Sequence, residues 1–379
     1  MKRFITLLLS LVAVVTAVYG QQPYRGSDDH TYAHAMESGS RRLIAIPDID
    51  GYITLKGDFH MHTVFADADV SPAGRVKEAW HDGLDVIAMT EHIGVHKSEG
   101  IRLTDYNLPN KQAIKEGKKY GLLVIPGLEI TRSKPFGHMN ALFVKDCNVF
   151  EENRYMVDKK GNLLRDENGK RIPNRATEMK DFETAEAQGA FIIWNHPGWP
   201  DKKSTLYPLH KELIEQGRIH AVELYNGLEW YPRVLDWFDT YKLPMMANSD
   251  VHSTTSCRYN RMLRPMTLVF AKERTIESIR EAMFAGRMLA LFANTLAGNA
   301  NLIKQLLHKS LQVRVIDAEK GRIEVTNISD IQFKALFGEP QKLVTFYPRT
   351  TIQVRIPQGT ELDFKDCLAG RNSVKLKIW

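Results

Sequence analysis

Cysteine is scarce in this chain: among 379 residues there are only three, Cys147, Cys257 and Cys367. Three widely spaced cysteines form neither a disulfide scaffold nor a cysteine-based metal site, so we expect small, partly buried thiols. The sequence has no GxGxxG or Walker-type loop, which disfavours a nucleotide-binding Rossmann domain. The net charge of +6 is spread along the chain, without the clustered basic stripe of a nucleic-acid binder.

Long apolar runs are confined to the first twenty residues. MKRFITLLLSLVAVVTAVYG starts with basic residues, continues with an apolar stretch and ends in small residues. This order is typical of a secretory signal peptide over 1–20, with cleavage expected after Gly20. A membrane anchor is the alternative, but the run is short for a bilayer span. We therefore expect an exported protein, periplasmic or extracellular, with no membrane span after cleavage.

After a polar lead-in at 21–51, strand-like apolar runs alternate with amphipathic helical runs. The strand-like runs are ITLKGDFHMHT, DVIAMTEH, LLVIPGLEIT, HMNALFVK, AFIIWNH, AVELYNG and MMANSDVH. This alternation predicts an α/β fold with a mainly parallel sheet, and seven strands favour a TIM-like (βα) barrel over 52–298. The charged segment 150–175, with two glycine turns, is predicted to be an inserted hairpin or flap.

The pattern of apolar and polar residues changes in the last part of the chain. LQVRVIDAEKGRIEVTNIS, KLVTFYPRTTIQVRI and SVKLKIW alternate apolar and polar residues between turn signals. This pattern predicts a small antiparallel β-sandwich within 299–379. We expect it to have a supporting or interaction role, because it contains no histidine cluster.

His60 and His62 form an HxH pair at the end of the first strand-like run. In a strand, side chains alternate between faces, so both imidazoles should point the same way. Other residues of metal-ligand type lie at or near the ends of later runs: Asp67, His92, Glu129, His138, His196, Asp250 and His252. The carboxyl ends of the strands of a β/α barrel meet on one face, so we expect these side chains to converge.

Imidazole and carboxylate ligands without thiolate suit Zn²⁺, Mn²⁺ or Fe²⁺. Nine such side chains are too many for one tetrahedral ion, so the pattern predicts two or three divalent metals with a bridging carboxylate. Their surplus positive charge would attract an anion and lower the pKa of a bound water. The chemistry that follows is hydrolysis of a small-molecule phosphoester.

Taken together and in order, HxH, an acid five residues later, TEH, GLE, a later histidine, NHP and SDVH resemble the polymerase-and-histidinol-phosphatase (PHP) superfamily of metal-dependent phosphoesterases. The leader, the phrase LKGDFHMHTVF and the appended β-domain resemble its secreted bacterial organophosphate phosphodiesterases. The resemblance implies a distorted seven-stranded barrel and hydrolysis of phosphodiesters by a metal-bridging hydroxide at a trinuclear site. The alternatives are a phosphomonoesterase on the same site and a non-catalytic metal-binding or interaction protein.

The resemblance also distributes the ligands over the metals. It implies His60, His62, Glu129 and Asp250 for the first metal, Glu129, His138 and His196 for the second, and Asp67, His92 and His252 for the third. Glu129 and Asp250 thereby become candidate catalytic residues. The loop reads Ala-Asp-Ala where the family often has Ser-Asp-Gly, so Asp69 is an alternative to Asp67.

Candidates for substrate contact and for proton donation lie near these motifs. Arg132 is expected either to grip a phosphate oxygen or to form a salt bridge, since guanidinium suits phosphate. Arg258 is one of three arginines, with Arg261 and Arg264, that follow the SDVH motif. His96 is a candidate general acid for the leaving alkoxide, with an exposed loop histidine as the alternative.

Further candidates surround the strand ends of the predicted barrel. Tyr225 and Asn226 end the sixth strand and are predicted to line the pocket. Trp199, in the WNHPGWP segment, is predicted to form an apolar wall for the substrate. Packing within the core is the alternative for each of these three side chains.

Overall fold

The computed structural model describes residues 40–94, 104–150, 155–199, 202–259 and 262–379. Residues Arg41–Trp379 fall into one structural unit. The predicted signal peptide and most of the lead-in lie outside the described residues. Within the described ranges, no helix has the length and apolar character needed to cross a membrane.

The apolar runs of the sequence form the strands that build the barrel. The strands are β1 (Ile53–Asp58), β2 (Val86–Met89), β3 (Leu123–Thr131), β4 (His138–Leu142), β5 (Phe191–Trp194), β6 (Ala221–Asn226), β7 (Glu229–Trp230), β8 (Met245–Asn248), β9 (Met266–Ala271), β10 (Met288–Phe292) and β11 (Thr295–Gly298). Every residue of β2 and β5 is buried, as expected of short apolar strands that are covered on both faces.

The barrel is distorted because not all of its strands are parallel. β1, β2 and β3 pair in parallel, as do β5, β6 and β8. β4 is antiparallel to both of its neighbours, and β9 is antiparallel to β1. The β8 and β9 edges are joined through Thr267, whose Oγ1 accepts from the Ala247 amide and donates to the Ala247 carbonyl, each at 3.0 Å. The predicted α/β fold with a distorted TIM-like barrel is confirmed.

Helices follow most of the strands. They are α1 (Pro72–His81), α2 (Leu108–Tyr120), α3 (Arg175–Ala187), α4 (Pro208–Glu215), α5 (Arg233–Tyr241), α6 (Thr255–Tyr259), α7 (Ile276–Phe284) and α8 (Ala300–Ser310). Three of them begin at a side-chain cap: Ser71 accepts from the Gly74 amide, Thr275 accepts from the Ser278 amide, and Asn299 accepts from the amides of Asn301 and Leu302. Such caps satisfy amides that the first helical turn leaves without a partner.

The last part of the chain forms antiparallel strands, as the alternating pattern predicts. They are β12 (Leu311–Asp317), β13 (Arg322–Asn327), β14 (Phe333–Phe337), β15 (Lys342–Phe346), β16 (Thr351–Arg355), β17 (Leu362–Ala369) and β18 (Asn372–Leu376). β12, β13 and β16 form a separate sheet, while β14, β15, β17 and β18 pair with one another as a second group that belongs to the barrel sheet. The inward residues Ile323, Val325, Phe333 and Phe364 are completely buried. β17 also pairs in parallel with β11, so this second group continues the barrel sheet; the boundary at 299 stays a prediction.

The charged segment after β4 folds back on itself twice. Its two turns lie at Gly161 and Gly169, where φ is +84° and +74°, the left-handed region that glycine adopts without strain. A bridge between Tyr155 and Pro173 closes the base of the segment. This base places both residues beside the ends of β3 and β4, from which several of the candidate ligands project.

Candidate metal centre

The structure brings all nine sequence-predicted ligands into one cluster. Six strands and their following loops supply them: His60 and His62 after β1, Asp67 in the next loop, His92 after β2, Glu129 on β3, His138 on β4, His196 after β5, and Asp250 and His252 after β8. Six of the nine are buried, although all carry polar groups. Buried polar groups require partners, so the contacts among these side chains decide what the cluster can bind.

Glu129 lies at the centre of the cluster and is completely buried. Its Oε1 is 2.9 Å from His138 Nδ1 and 3.5 Å from His196 Nε2. Its Oε2 contacts His92 Nδ1 and lies 3.8 Å from His62 Nε2. Burial alone would raise the pKa of Glu129, but His92 and His138 outweigh it and hold that pKa well below its usual value. The ionised carboxylate faces two groups of imidazoles, the position that a bridging ligand requires.

Asp250, which follows β8, faces the HxH pair, which follows β1. Its Oδ1 lies 3.3 Å from His60 Nε2 and 3.1 Å from His62 Nε2, and the two Nε2 atoms are 3.1 Å apart. Burial opposes ionisation of Asp250, but His60 and His62 hold its pKa well below the usual value. Within the described part of the chain, this buried Oδ1 forms no hydrogen bond of regular geometry. An anionic oxygen between two imidazole nitrogens fits coordination of a shared cation.

The loop after β1 supplies Asp67 rather than Asp69. Asp67 Oδ1 lies 3.5 Å from His92 Nε2 and 3.2 Å from His252 Nε2. Burial raises the pKa of Asp67, but His252 and His92 outweigh this effect and lower that pKa to about 2. Asp69 is exposed, and its amide donates to the His252 carbonyl at 2.7 Å. The structure therefore favours Asp67 as the loop ligand.

Ligand atoms that lie within 4.8 Å of one another form four overlapping groups. The groups are His62–Asp67–His92–His252, His60–His62–Glu129, His60–His196–Asp250 and His92–Glu129–His138. The first matches the set expected for a third metal, with His62 added. His138 and His196 fall into different groups, although the resemblance placed them on one metal. Both nevertheless contact Glu129 Oε1, so which metal each would bind stays a prediction.

Two imidazoles of the cluster already have the charge state that suits metal binding, whereas in the metal-free protein the neighbouring carboxylates outweigh burial and raise the pKa values of His60, His196 and His252. Burial and the neighbouring His92 lower the pKa of His62 to about 3, and burial lowers the pKa of His138 to about 4 despite Glu129. Both imidazoles are therefore neutral near pH 7, while the carboxylates are ionised. Neutral imidazole and ionised carboxylate are the forms that ligate metals, so the residues present fit divalent cations.

Two of the ligand residues have a positive φ, a backbone conformation that residues other than glycine rarely adopt. The φ of His196 is +24° and that of Asp250 is +48°. The His196 amide donates to Glu223 Oε2 at 2.8 Å, and the Asp250 amide donates to the His60 carbonyl at 2.8 Å. Strained conformations persist only where surrounding contacts hold them, and they concentrate at functional sites.

Solved structures provide an independent comparison. A two-domain protein from Bacteroides vulgatus ATCC 8482, which contains a predicted PHP-like metal-dependent phosphoesterase, is 32% identical to this chain. The alignment covers 90% of this chain and 99% of that one, with a TM-score of 0.77. The chain belongs to the PHP-like metal-dependent phosphoesterases. Endonuclease Q in complex with a 27-mer duplex is a more distant neighbour, with 20% identity, a TM-score of 0.42, and coverage of 65% of this chain and 60% of that one. Neither a protein-family model nor a curated protein matches the chain.

Glu223 is a residue of this PHP-like phosphoesterase that sequence reasoning missed. It is completely buried on β6, and its Oε1 accepts from His60 Nδ1 at 2.8 Å and from Asn248 Nδ2 at 3.0 Å. Its Oε2 accepts from the His196 amide and from Asn226 Nδ2, each at 2.8 Å. Because the carboxylate holds the Nδ1–H of His60, the Nε2 lone pair faces the cluster. An acidic residue inside the apolar run AVELYN is the signal that could have revealed it.

Arg75 on α1 was also missed, and it ties together the loops that carry the ligands. Its guanidinium is buried and donates to the carbonyls of His62 at 2.7 Å, Val251 at 3.0 Å and Ser253 at 2.8 Å. Glu78 pairs with the same guanidinium at 2.8 Å. One side chain thus holds the loop after β1 against the loop after β8.

Two cavities adjoin the cluster and share Asp67, His92, His138 and Trp199 in their walls. The larger, of about 560 Å³, is extended by Arg132, Lys134, Tyr155, Pro173 and Arg175. The smaller, of about 260 Å³, is extended by His196, Asn226, Glu229, Tyr231, Asp250 and His252. Trp199 and Asn226 therefore lie where the sequence predicts, in the walls of the pocket.

Arg132, Arg258 and His96 are the remaining candidates for substrate contact and proton donation. Arg132 lines the larger cavity, but it is buried and its Nη2 is paired with Asp181, so its contact with phosphate stays a prediction. Arg258 is exposed on α6 and does not line either cavity, although its Nη1 lies over Gly227, the residue after Asn226. His96 lies outside the described residues, so its role as general acid stays a prediction.

Tyr225 does not line either cavity, contrary to the prediction. The pairing of β6 with β8 shifts register between Glu223 and Tyr225. A bulge of this kind interrupts the alternation of faces, so Tyr225 does not follow Glu223 towards the cluster. Its ring packs instead against Trp230 and Phe292, with centroids 4.6 Å and 5.3 Å away.

Proposed function

We propose that this PHP-like phosphoesterase hydrolyses phosphodiesters of small organic molecules. The observation that carries the proposal is the pair of cavities that meet at the cluster, about 560 Å³ and 260 Å³ in volume. A phosphodiester has two ester arms on one phosphorus. One arm can enter the larger cavity, and the other can lie against Asn226, Glu229 and Tyr231, wall residues of the smaller cavity that are not candidate ligands. A phosphomonoester would leave one of the two cavities unused.

The nine clustered side chains fit two or three divalent metals such as Zn²⁺, Mn²⁺ or Fe²⁺. When bound, these metals would activate water and offset the negative charge that develops on the phosphoryl oxygens. Glu129 and Asp250 supply the anionic oxygens that such cations require, and Glu223 keeps His60 turned towards them. Trp199, with its ring edge-on to His138, bounds the space that the substrate occupies.

The charges around the larger cavity favour a monoanionic diester over a dianionic monoester. Arg132 is paired with Asp181, and Arg175 is paired with Glu178 at 2.7 Å. Both arginines are therefore already paired with carboxylates of α3, and Lys134 is the third basic side chain in this wall. A monoester carries one more negative charge than a diester and needs additional cationic groups to balance it.

The test compares bis(p-nitrophenyl) phosphate with p-nitrophenyl phosphate, using protein whose metal content has been measured. We expect faster turnover of the diester, loss of turnover after metal removal, and loss of activity in Glu129→Gln. Glu319→Gln, an exposed change in the β12–β13 turn, serves as the control. Faster turnover of the monoester would favour the phosphomonoesterase. Protein that holds no transition metal and is unaffected by His60→Ala would instead be a binding or interaction protein.

We also propose that the protein is exported to the periplasm or beyond. The support is the order of basic, apolar and small residues over 1–20. Amino-terminal sequencing of protein recovered from cell fractions tests this, and we expect the mature chain to begin at Gln21. Recovery of the uncleaved chain in the cytoplasm would overturn the proposal.

A further inference from the structure

Five large apolar side chains stay exposed around the opening of the two cavities. Trp199 is a wall residue of both cavities, and Leu228 lies in the turn between β6 and β7. Val64 lies on the loop after β1, while Met156 and Leu163 belong to the charged segment after β4. Each of the five is between 43% and 59% exposed, and we call this group the apolar rim. A group of exposed apolar side chains beside a cavity marks an interaction surface.

The backbone of the charged segment keeps Met156 and Leu163 at the surface. Met156 follows Tyr155, which lines the larger cavity. The Met156 amide donates to the Ile172 carbonyl at 2.8 Å, and the Leu164 amide donates to the Met156 carbonyl at 2.9 Å. The Ile172 amide in turn donates to the Leu164 carbonyl at 3.1 Å, so the three passes of the segment bond to one another. This frame holds the two apolar side chains beside the cavity without a core that covers them.

The same segment carries more positive than negative charge. Residues 155–173 contain five lysine or arginine residues and three acidic ones, which gives a net charge of +2. Lys159, Lys160 and Lys170 are exposed, and in the parts of the chain that the structure describes they form no ion pair. Asp158 instead accepts from the Lys160 amide at 2.8 Å, so its carboxylate is used inside the turn. Positive charge therefore adjoins this part of the apolar rim.

We propose that the apolar rim and these lysines dock the protein on an anionic phospholipid surface, with both cavities facing the lipid. Tryptophan and aliphatic side chains are stabilised at the boundary of headgroups and acyl chains, and lysines are attracted to anionic headgroups. Lys202, three residues after Trp199, is also exposed and extends the positive charge to a second part of the rim. A fluid lipid surface receives side chains that surround an opening, whereas a protein partner must follow the shape of that opening. The docking does not depend on which phosphoester the protein hydrolyses.

Sedimentation with sucrose-loaded vesicles tests the inference. The metal-loaded protein is mixed with vesicles of phosphatidylcholine alone or of phosphatidylcholine with phosphatidylglycerol, and we expect binding to the second kind that weakens with added salt. Lys160→Gln should lower the partition coefficient about fivefold, and Leu163→Asn about tenfold. The matched controls are Lys272→Gln and Leu343→Asn, exposed changes after β9 and on β15, which should preserve binding. Equal binding to both kinds of vesicle, or none to either, would overturn the inference.

The controls separate docking through the apolar rim from general adsorption of a basic protein. If adsorption followed only the net charge of +6, Lys272→Gln would weaken binding as much as Lys160→Gln, and the inference would be wrong. Full binding by Leu163→Asn would identify a site for polyanions in general and would equally contradict docking on lipid. Brominated phospholipids report the orientation, because they quench tryptophans that reach the acyl chains. We expect quenching that falls in Trp199→Phe, and unchanged quenching would show that the cavities face away from the lipid.

Discussion

Replacing Glu223 with glutamine tests how the orientation of the ligands is maintained. The carboxylate accepts four hydrogen bonds, two at each oxygen, from His60, Asn248, His196 and Asn226. Glutamine has the same shape but only one accepting oxygen. Its NH₂ group must therefore face two of these donors, whichever way the amide is turned.

The size of the effect follows from the burial of Glu223. It is completely buried, so water cannot replace the lost acceptor. Each buried donor without a partner costs about 1–3 kcal/mol, so we expect the metal-free protein to lose about 2–6 kcal/mol of unfolding free energy. The Nδ1–H of His60 also loses the carboxylate that orients it. Loss of such an orienting contact typically lowers metal affinity about 10–100-fold.

Two assays separate these effects. Competition with a chromogenic chelator measures metal affinity, and urea unfolding of the metal-free protein measures stability. Glu178→Gln is the matched control, because Glu178 is also buried and ion-paired but contacts Arg175 on α3 rather than a ligand. It should reduce stability without changing metal affinity. If Glu223→Gln lowered stability but bound metal as tightly as the unmodified protein, the orienting role would be wrong.

Three further perturbations probe the cluster and its supports. Burial lowers the pKa of His60, but Asp250, Glu223 and Glu129 together outweigh it and raise that pKa from 6.5 to about 10 in the metal-free protein. The resulting stabilisation is present below pH 6.5 and is lost as the pH rises through about 10, so the urea midpoint should fall across this interval only without metal. Arg75→Met should cost about 3–5 kcal/mol in urea unfolding because it leaves a buried ionic contact without its partner, and Arg75→Lys should recover part of it. Gly198→Val should lower the thermal midpoint in calorimetry because its Cβ would displace the Tyr231 ring, whereas an unchanged midpoint would contradict the close packing.

Much of the fold follows from local residue patterns along the chain. The apolar runs were long enough, and sufficiently bounded by turn residues, to identify the strands β1 to β6 and β8. Because strand ends of a β/α barrel meet on one face, the positions of the histidines and acids along the chain were sufficient to predict that they converge. The strand β9 was not among the predicted runs, and the antiparallel direction of β4 was not predicted, because pairing direction depends on contacts between distant segments.

The structure was needed to show which atoms meet. It placed Asp67 rather than Asp69 beside His92, and it separated His138 and His196 into different groups of ligand atoms. It paired Arg132 with Asp181, a partner far along the chain that no local pattern identifies. A register shift turned Tyr225 into the packed interior, and a buried glutamate within an apolar strand became the support of His60. Residue types and spacing determine which strand end a side chain occupies. The partners of that side chain depend on the register of neighbouring strands and on its rotamer, and both are fixed only when the whole barrel packs.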